Sequence, residues 1–110
     1  VVYLVNTGWS GGAYGVGKRI KIKYSRAMIT AALTGALDIV KYRHDDLFNL
    51  DIPTEVDGVP SEILDPKNTW IDKDSYNLSA KKLAQMFVEN FKKFENVSTD
   101  VVDAGPKYSP

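Results

Sequence analysis

The chain opens with an apolar run, Val1-Val2-Tyr3-Leu4-Val5, that feeds directly into Asn6-Thr7-Gly8-Trp9-Ser10-Gly11-Gly12-Ala13-Tyr14-Gly15-Val16-Gly17-Lys18-Arg19. A nearly continuous apolar run reads as a strand covered on both faces of a sheet. Glycines after it let backbone approach a phosphate closely, and the two cations at the end of the loop would neutralise that phosphate. The run needs neighbouring strands that the rest of the sequence does not offer. Together with a start that lacks Met, this suggests a segment of a larger α/β protein.

Gly12 and Gly17-Lys18 fit the phosphate-loop spacing G-x-x-x-x-G-K. That motif needs Ser or Thr after the Lys to meet magnesium, and a helix should begin there. Arg19 takes the hydroxyl position instead. Arg19-Ile20-Lys21-Ile22-Lys23 then alternates cation and aliphatic, which predicts a short strand with one buried face. Two readings of the loop stay open. It is either a plain connector whose glycines supply unusual backbone angles, or an anion or nucleotide site. The second explains why Asn6, Thr7, Trp9, Tyr14, Lys18 and Arg19 gather in one place, on a loop longer than the about two to five residues of most hairpin connections.

A chain of 110 residues holds one domain at most. Its formal net charge is zero, so the surface as a whole favours neither nucleic acid nor membrane, and anion attraction must come from local clusters such as Lys18 to Lys23. The absence of cysteine excludes disulfides and thiolate metal sites and fits an intracellular, cytoplasmic setting. No run of about 18 apolar residues and no cationic leader stand out, so neither a membrane span nor a signal peptide is expected.

Ser25 is placed as the N-cap of a helix in which Met28, Ile29, Ala32 and Leu33 share a face, with Gly35 as its stop and Ala36-Leu37 as a ragged last turn. Ile39 to Tyr42 and Leu47 to Ile52 read as extended pieces split by the polar Arg43-His44-Asp45-Asp46, with Pro53 closing the second. Asp57-Gly58 turns the chain into a short helix from Ser61 to Leu64 that Pro66 ends. Asp72 then caps a long helix whose stripe of Tyr76, Ala80, Leu83, Phe87, Phe91 and Phe94 has to dock on something, while Lys81, Lys82, Glu89, Lys92 and Lys93 face water. Ser98 to Ala104 adds one short helix before Gly105-Pro106, and the last residues fray. The fold class is therefore mixed α/β, a few short strands with one medium and one long amphipathic helix.

His44 with Asp45 and Asp46 has metal-ligand residue types, but neighbours on an extended chain point to opposite faces, so the group reads as a solvated turn. Asp65 and Asp72 read as turn and cap residues. No catalytic apparatus and no metal-ligand repeat appear in the sequence.

Three runs, Tyr3-Leu4-Val5-Asn6-Thr7-Gly8-Trp9, Gly15-Val16-Gly17-Lys18-Arg19 and Tyr24-Ser25-Arg26-Ala27, closely resemble the carboxy-terminal part of the ATP-dependent phosphoenolpyruvate carboxykinases. The likeness continues through Phe48-Asn49-Leu50, Ile52-Pro53-Thr54, Gly58 to Pro66, Thr69-Trp70, Asn90 to Phe94 and Ala104-Gly105-Pro106. The resemblance implies that residues 1–110 form the end of a nucleotide-binding domain and are not an autonomous unit. The parent enzyme would convert oxaloacetate and ATP to phosphoenolpyruvate, carbon dioxide and ADP with magnesium and manganese. It further implies that Arg19 contacts ATP, that Ile20 packs beside it, and that Ser25, where the family often has Thr, completes the adenosine side. The phosphate loop, the metal ligands and the oxaloacetate-binding arginine would lie upstream, and His44 does not match the metal-binding histidine. The competing readings are a free-standing, non-catalytic nucleotide-binding or interaction domain and a true phosphate-loop NTPase.

Overall fold

A computed structural model describes residues 1–12 and 15–107. The expectations for Tyr14 and for the fraying of the last three residues lie outside the described residues.

Two antiparallel ribbons organise the chain. In the first, β1 (Trp9–Ser10) pairs with β2 (Lys18–Arg19), Trp9 opposite Arg19 and Ser10 opposite Lys18. Asn6 sets the entry to this ribbon: its Oδ1 accepts the Gly8 N–H at 2.8 Å and its Nδ2 donates to the Trp9 carbonyl at 3.0 Å. Gly17 is needed for its closure. A Cβ there would sit 2.3 Å from the Gly12 carbonyl oxygen and 2.8 Å from that of Ser10, distances only a bare Cα tolerates.

The expected strand over Val1 to Val5 does not form. Those residues enter no ladder among the described residues, and their side chains are exposed. A strand is held by hydrogen bonds to a neighbour, and apolarity alone supplies none. The strand expected from Arg19 to Lys23 is also cut short. Its last ladder bond is Ile20 N–H to the Gly8 carbonyl at 2.8 Å, beyond which Asn6 has turned the partner chain away. The backbone instead coils into α1 (Ile22–Thr34), whose first turn closes on the Lys21 carbonyl through the amides of Tyr24 and Ser25. Ser25 is therefore not the N-cap. Lys21 holds that position, and Ser25 lies buried within the first turn. Gly35 ends α1 as expected, with φ at 81°, and Ala36–Asp38 adds a 3-10 turn.

The second ribbon pairs β3 (Tyr42–Asp45) with β4 (Leu50–Pro53). Here the polar residues Arg43, His44 and Asp45 stand in the ladder, and Leu47 falls in the turn. The gap expected at residues 43–46 thus falls three residues later, at 46–49. Asp45 decides it by accepting the Phe48 N–H at 2.8 Å, and Asn49 completes the reversal at φ 58°.

Beyond this ribbon, Gly58 (φ 82°) lets Val56 bridge to Val59, which drives both valines inward. Ser61–Ile63 forms a 3-10 turn in place of a helix to Leu64. Pro66 ends nothing: it opens α2 (Pro66–Thr69) at a position where its missing N–H costs no hydrogen bond, with Asp65 as cap. Asp72 caps α3 (Lys73–Phe91) as expected, and α4 (Thr99–Asp103) follows Ser98.

Ala31, Leu37, Val56 and Val59 form the core, flanked by Tyr24, Met28, Ile63 and Leu64. No side chain larger than these is fully buried. Along α3 only Ala80 and Ala84 are buried, so the long helix leaves most of its apolar stripe uncovered.

Candidate functional site

Residues 18–26 carry Lys18, Arg19, Lys21, Lys23 and Arg26 without one carboxylate. The fold puts them on the closing strand of the glycine ribbon and the first turns of α1, all exposed to solvent. Among the described residues, none of these cations ion-pairs with a carboxylate. A helix start is the positive end of its dipole, and here it has no acidic residue in its first turn and no side-chain cap. This concentration of like charge is locally unfavourable unless an anion offsets it. Part of the offset is internal: the Tyr24 ring lies 5.8 Å from Lys21 Nζ and 5.3 Å from Lys23 Nζ, where its negative face attracts both ammoniums.

The three residues singled out for ATP occupy different settings. Arg19 is exposed on β2, directly across from Trp9. The Gly8–Ile20 hydrogen bond makes the Trp9–Arg19 pair the non-hydrogen-bonded kind, which brings opposed side chains closest. Ile20 is half-buried and faces a cleft between the ribbons. Ser25 is 8% exposed, and its hydroxyl, which has no protein partner among the described residues, still reaches solvent. Arg19 and Ser25 do not line the cleft that Ile20 lines. What unites the three is the short path from β2 into α1.

His44 is not in a solvated turn. It stands in β3 opposite Asp51, with Nδ1 2.8 Å from Asp51 Oδ1. That hydrogen bond holds the imidazole above its usual pKa range, although partial desolvation opposes it. Asp65, besides capping α2, meets Arg43 at 3.2 Å and so ties β3 to the α2 cap. Sequence spacing gives no warning of either cross-chain pair, since each depends on ribbon register or on packing.

The described residues contain no group of three or more His, Cys, Asp or Glu placed to hold a metal. Among the described residues, no such group is offered to the magnesium and manganese that the resemblance implies. No helix among the described residues is long and apolar enough to cross a membrane.

These features define a mixed α/β segment with a cationic, glycine-closed ribbon leading into a helix. The chain belongs to the phosphoenolpyruvate carboxykinase family, whose model matches residues 1–62 and so takes in the ribbon, α1 and the second ribbon. It is 60% identical over 109 residues to the phosphoenolpyruvate carboxykinase (ATP) of Fusobacterium nucleatum subsp. nucleatum, a match over 98% of this chain and 21% of that protein. The enzyme of the same name from Caldanaerobacter subterraneus subsp. tengcongensis is 58% identical over 106 residues, 96% of this chain and 20% of the relative. That of Thermus thermophilus is 51% identical over 107 residues, again 96% and 20%. The chain therefore spans about a fifth of the length of the curated relatives it matches.

Proposed function

We propose that this chain is the carboxy-terminal portion of the nucleotide-binding domain of a cytoplasmic, ATP-dependent phosphoenolpyruvate carboxykinase. The whole enzyme interconverts oxaloacetate plus ATP with phosphoenolpyruvate, carbon dioxide and ADP, with magnesium and manganese held by parts of the protein outside this sequence. The segment contributes contacts to the adenosine side of ATP. Arg19 offers a planar guanidinium that suits both phosphate bonding and stacking on a base. Ile20 supplies an apolar surface beside it, and the Ser25 hydroxyl, without a protein partner among the described residues, is available to donate to or accept from a nucleoside.

One observation carries this reading: the cations at 18–26 stand exposed at a helix start with no carboxylate paired to them among the described residues, an arrangement that fits a polyanionic ligand. ATP, when bound, brings the phosphoryl group that is transferred, and this chain's residues bind and orient its nucleoside end. In the full-length carboxykinase, Arg19→Ala is expected to raise KM for ATP by on the order of tenfold or more, the loss of one charge-assisted contact. KM for oxaloacetate should stay nearly unchanged. Steady-state kinetics with each substrate varied in turn decides the matter, and an unaltered ATP constant refutes the assignment.

A further inference from the structure

The cleft between the two ribbons encloses about 960 Å³, and Ile20, Met28, Phe48, Trp70, Tyr76 and Leu83 are among the side chains lining it. The charged side chains in its wall are Asp38, Asp45 and Asp51; no Lys or Arg lines it among the described residues. Asp51 is paired with His44, which leaves Asp38 and Asp45, hydrogen-bonded by the Tyr3 hydroxyl and the Phe48 N–H, without a cation among the described residues. The polarity is opposite to that of the ribbon end, so the cleft does not suit a phosphate-bearing ligand. Leu83 continues its apolar floor onto an open flank of α3, where Met86 is 58% and Phe87 52% exposed.

The uncovered area is large. A folded 12.2 kDa monomer exposes about 6,100 Å² by the usual scaling of surface with mass, whereas this chain exposes 8443 Å². The excess over the whole chain, roughly 2,300 Å², exceeds the about 800 Å² that each partner buries in a standard protein interface.

We infer that the cleft and the α3 flank form one docking surface, filled by a stretch of the carboxykinase chain outside this sequence that carries apolar side chains and at least one Lys or Arg. The inference rests on the reading of this chain as part of a longer enzyme. The relatives are about five times its length, so a tethered occupant at high effective concentration is at hand. A second copy fits less well, because a twofold interface would set Asp38 and Asp45 against the same carboxylates with no cation between them.

The test uses the full-length enzyme. In hydroxyl-radical footprinting of the wild type, Trp70, Met86 and Phe87 should oxidise several-fold more slowly than in the unfolded chain. Oxidation at the unfolded rate overturns the proposal, and so does protection that vanishes when the enzyme is diluted to monomer, which would make a second copy the cover. Leu83→Ser and Asp38→Lys should each lower the melting temperature by several degrees with KM for ATP unchanged. A melting temperature unmoved by Asp38→Lys overturns the cationic character of the occupant. Arg19→Ala moves the ATP constant and not the melting temperature, so the two proposals fail separately.

Discussion

Gly17 shows how one residue reads differently in sequence and in space. In the sequence it belongs to a loop rich in glycine before two cations, and its chemistry points to a phosphate. In the structure two backbone carbonyls, that of Ser10 at the end of β1 and that of Gly12 in the loop beyond it, occupy the space a Cβ needs. Gly17→Ala should therefore cost about 1–3 kcal/mol, the range for forcing an extra methyl into a packed place. Denaturant unfolding of the enzyme carrying the substitution measures it, and an unchanged midpoint means that the ribbon opens freely. Arg19 was legible as a cation of the glycine loop from its charge alone, while Ile20 and Ser25 become candidates only through the resemblance. The setting of Ser25 was not legible. A hydroxyl before an apolar run looks like a helix cap, and only the closure of the first turn on Lys21 moves Ser25 inside.

Helices were the more legible elements, because their ends are set within a few residues. Asp72 caps α3 through the amides of Asp74 and Ser75, and Ser75 Oγ donates to its Oδ2. These bonds, the Ser75 hydroxyl first, hold the Asp72 carboxyl below its usual pKa. The unfolded state thus takes up a proton before the folded one does. The stabilisation is complete above the ordinary carboxylate range and is lost as pH falls through the lowered value. Asp72→Asn keeps an amide oxygen as cap acceptor but cannot titrate. Thermal melts from neutral to acid pH should show a smaller acid-side loss in that variant than in the wild type. An identical loss would mean that the cap does not contribute. Strand boundaries were less legible because a partner far along the chain sets them. Arg43, His44 and Asp45 read as a break, yet Asp51 and Ile52 across the ribbon place them in the ladder.

At the scale of the whole molecule, the chain is looser than its length implies. Its radius of gyration is 15.2 Å, against about 13 Å for a compact domain of this size. Leu37 and two valines are the largest members of its buried core. The apolar stripe of α3 is expected to dock, yet among the described residues Leu83, Phe87 and Phe94 stay about half exposed. Both facts support a segment that completes its packing elsewhere. The purified 110-residue chain, about a fifth of the length of the relatives it matches, should show no carboxykinase turnover in a coupled assay with ATP and oxaloacetate. Robust turnover would refute the division of labour proposed above. Both tryptophans line the cleft, but Trp9 also lies across from Arg19 on the cationic ribbon, whereas Trp70 sits against the edge of Tyr76. The chain thus carries two separate fluorophores. With Trp70 replaced, the remaining emission reports the ribbon and the edge of the cleft it shares; with Trp9 replaced, a blue shift follows the drying of the cleft beside Tyr76.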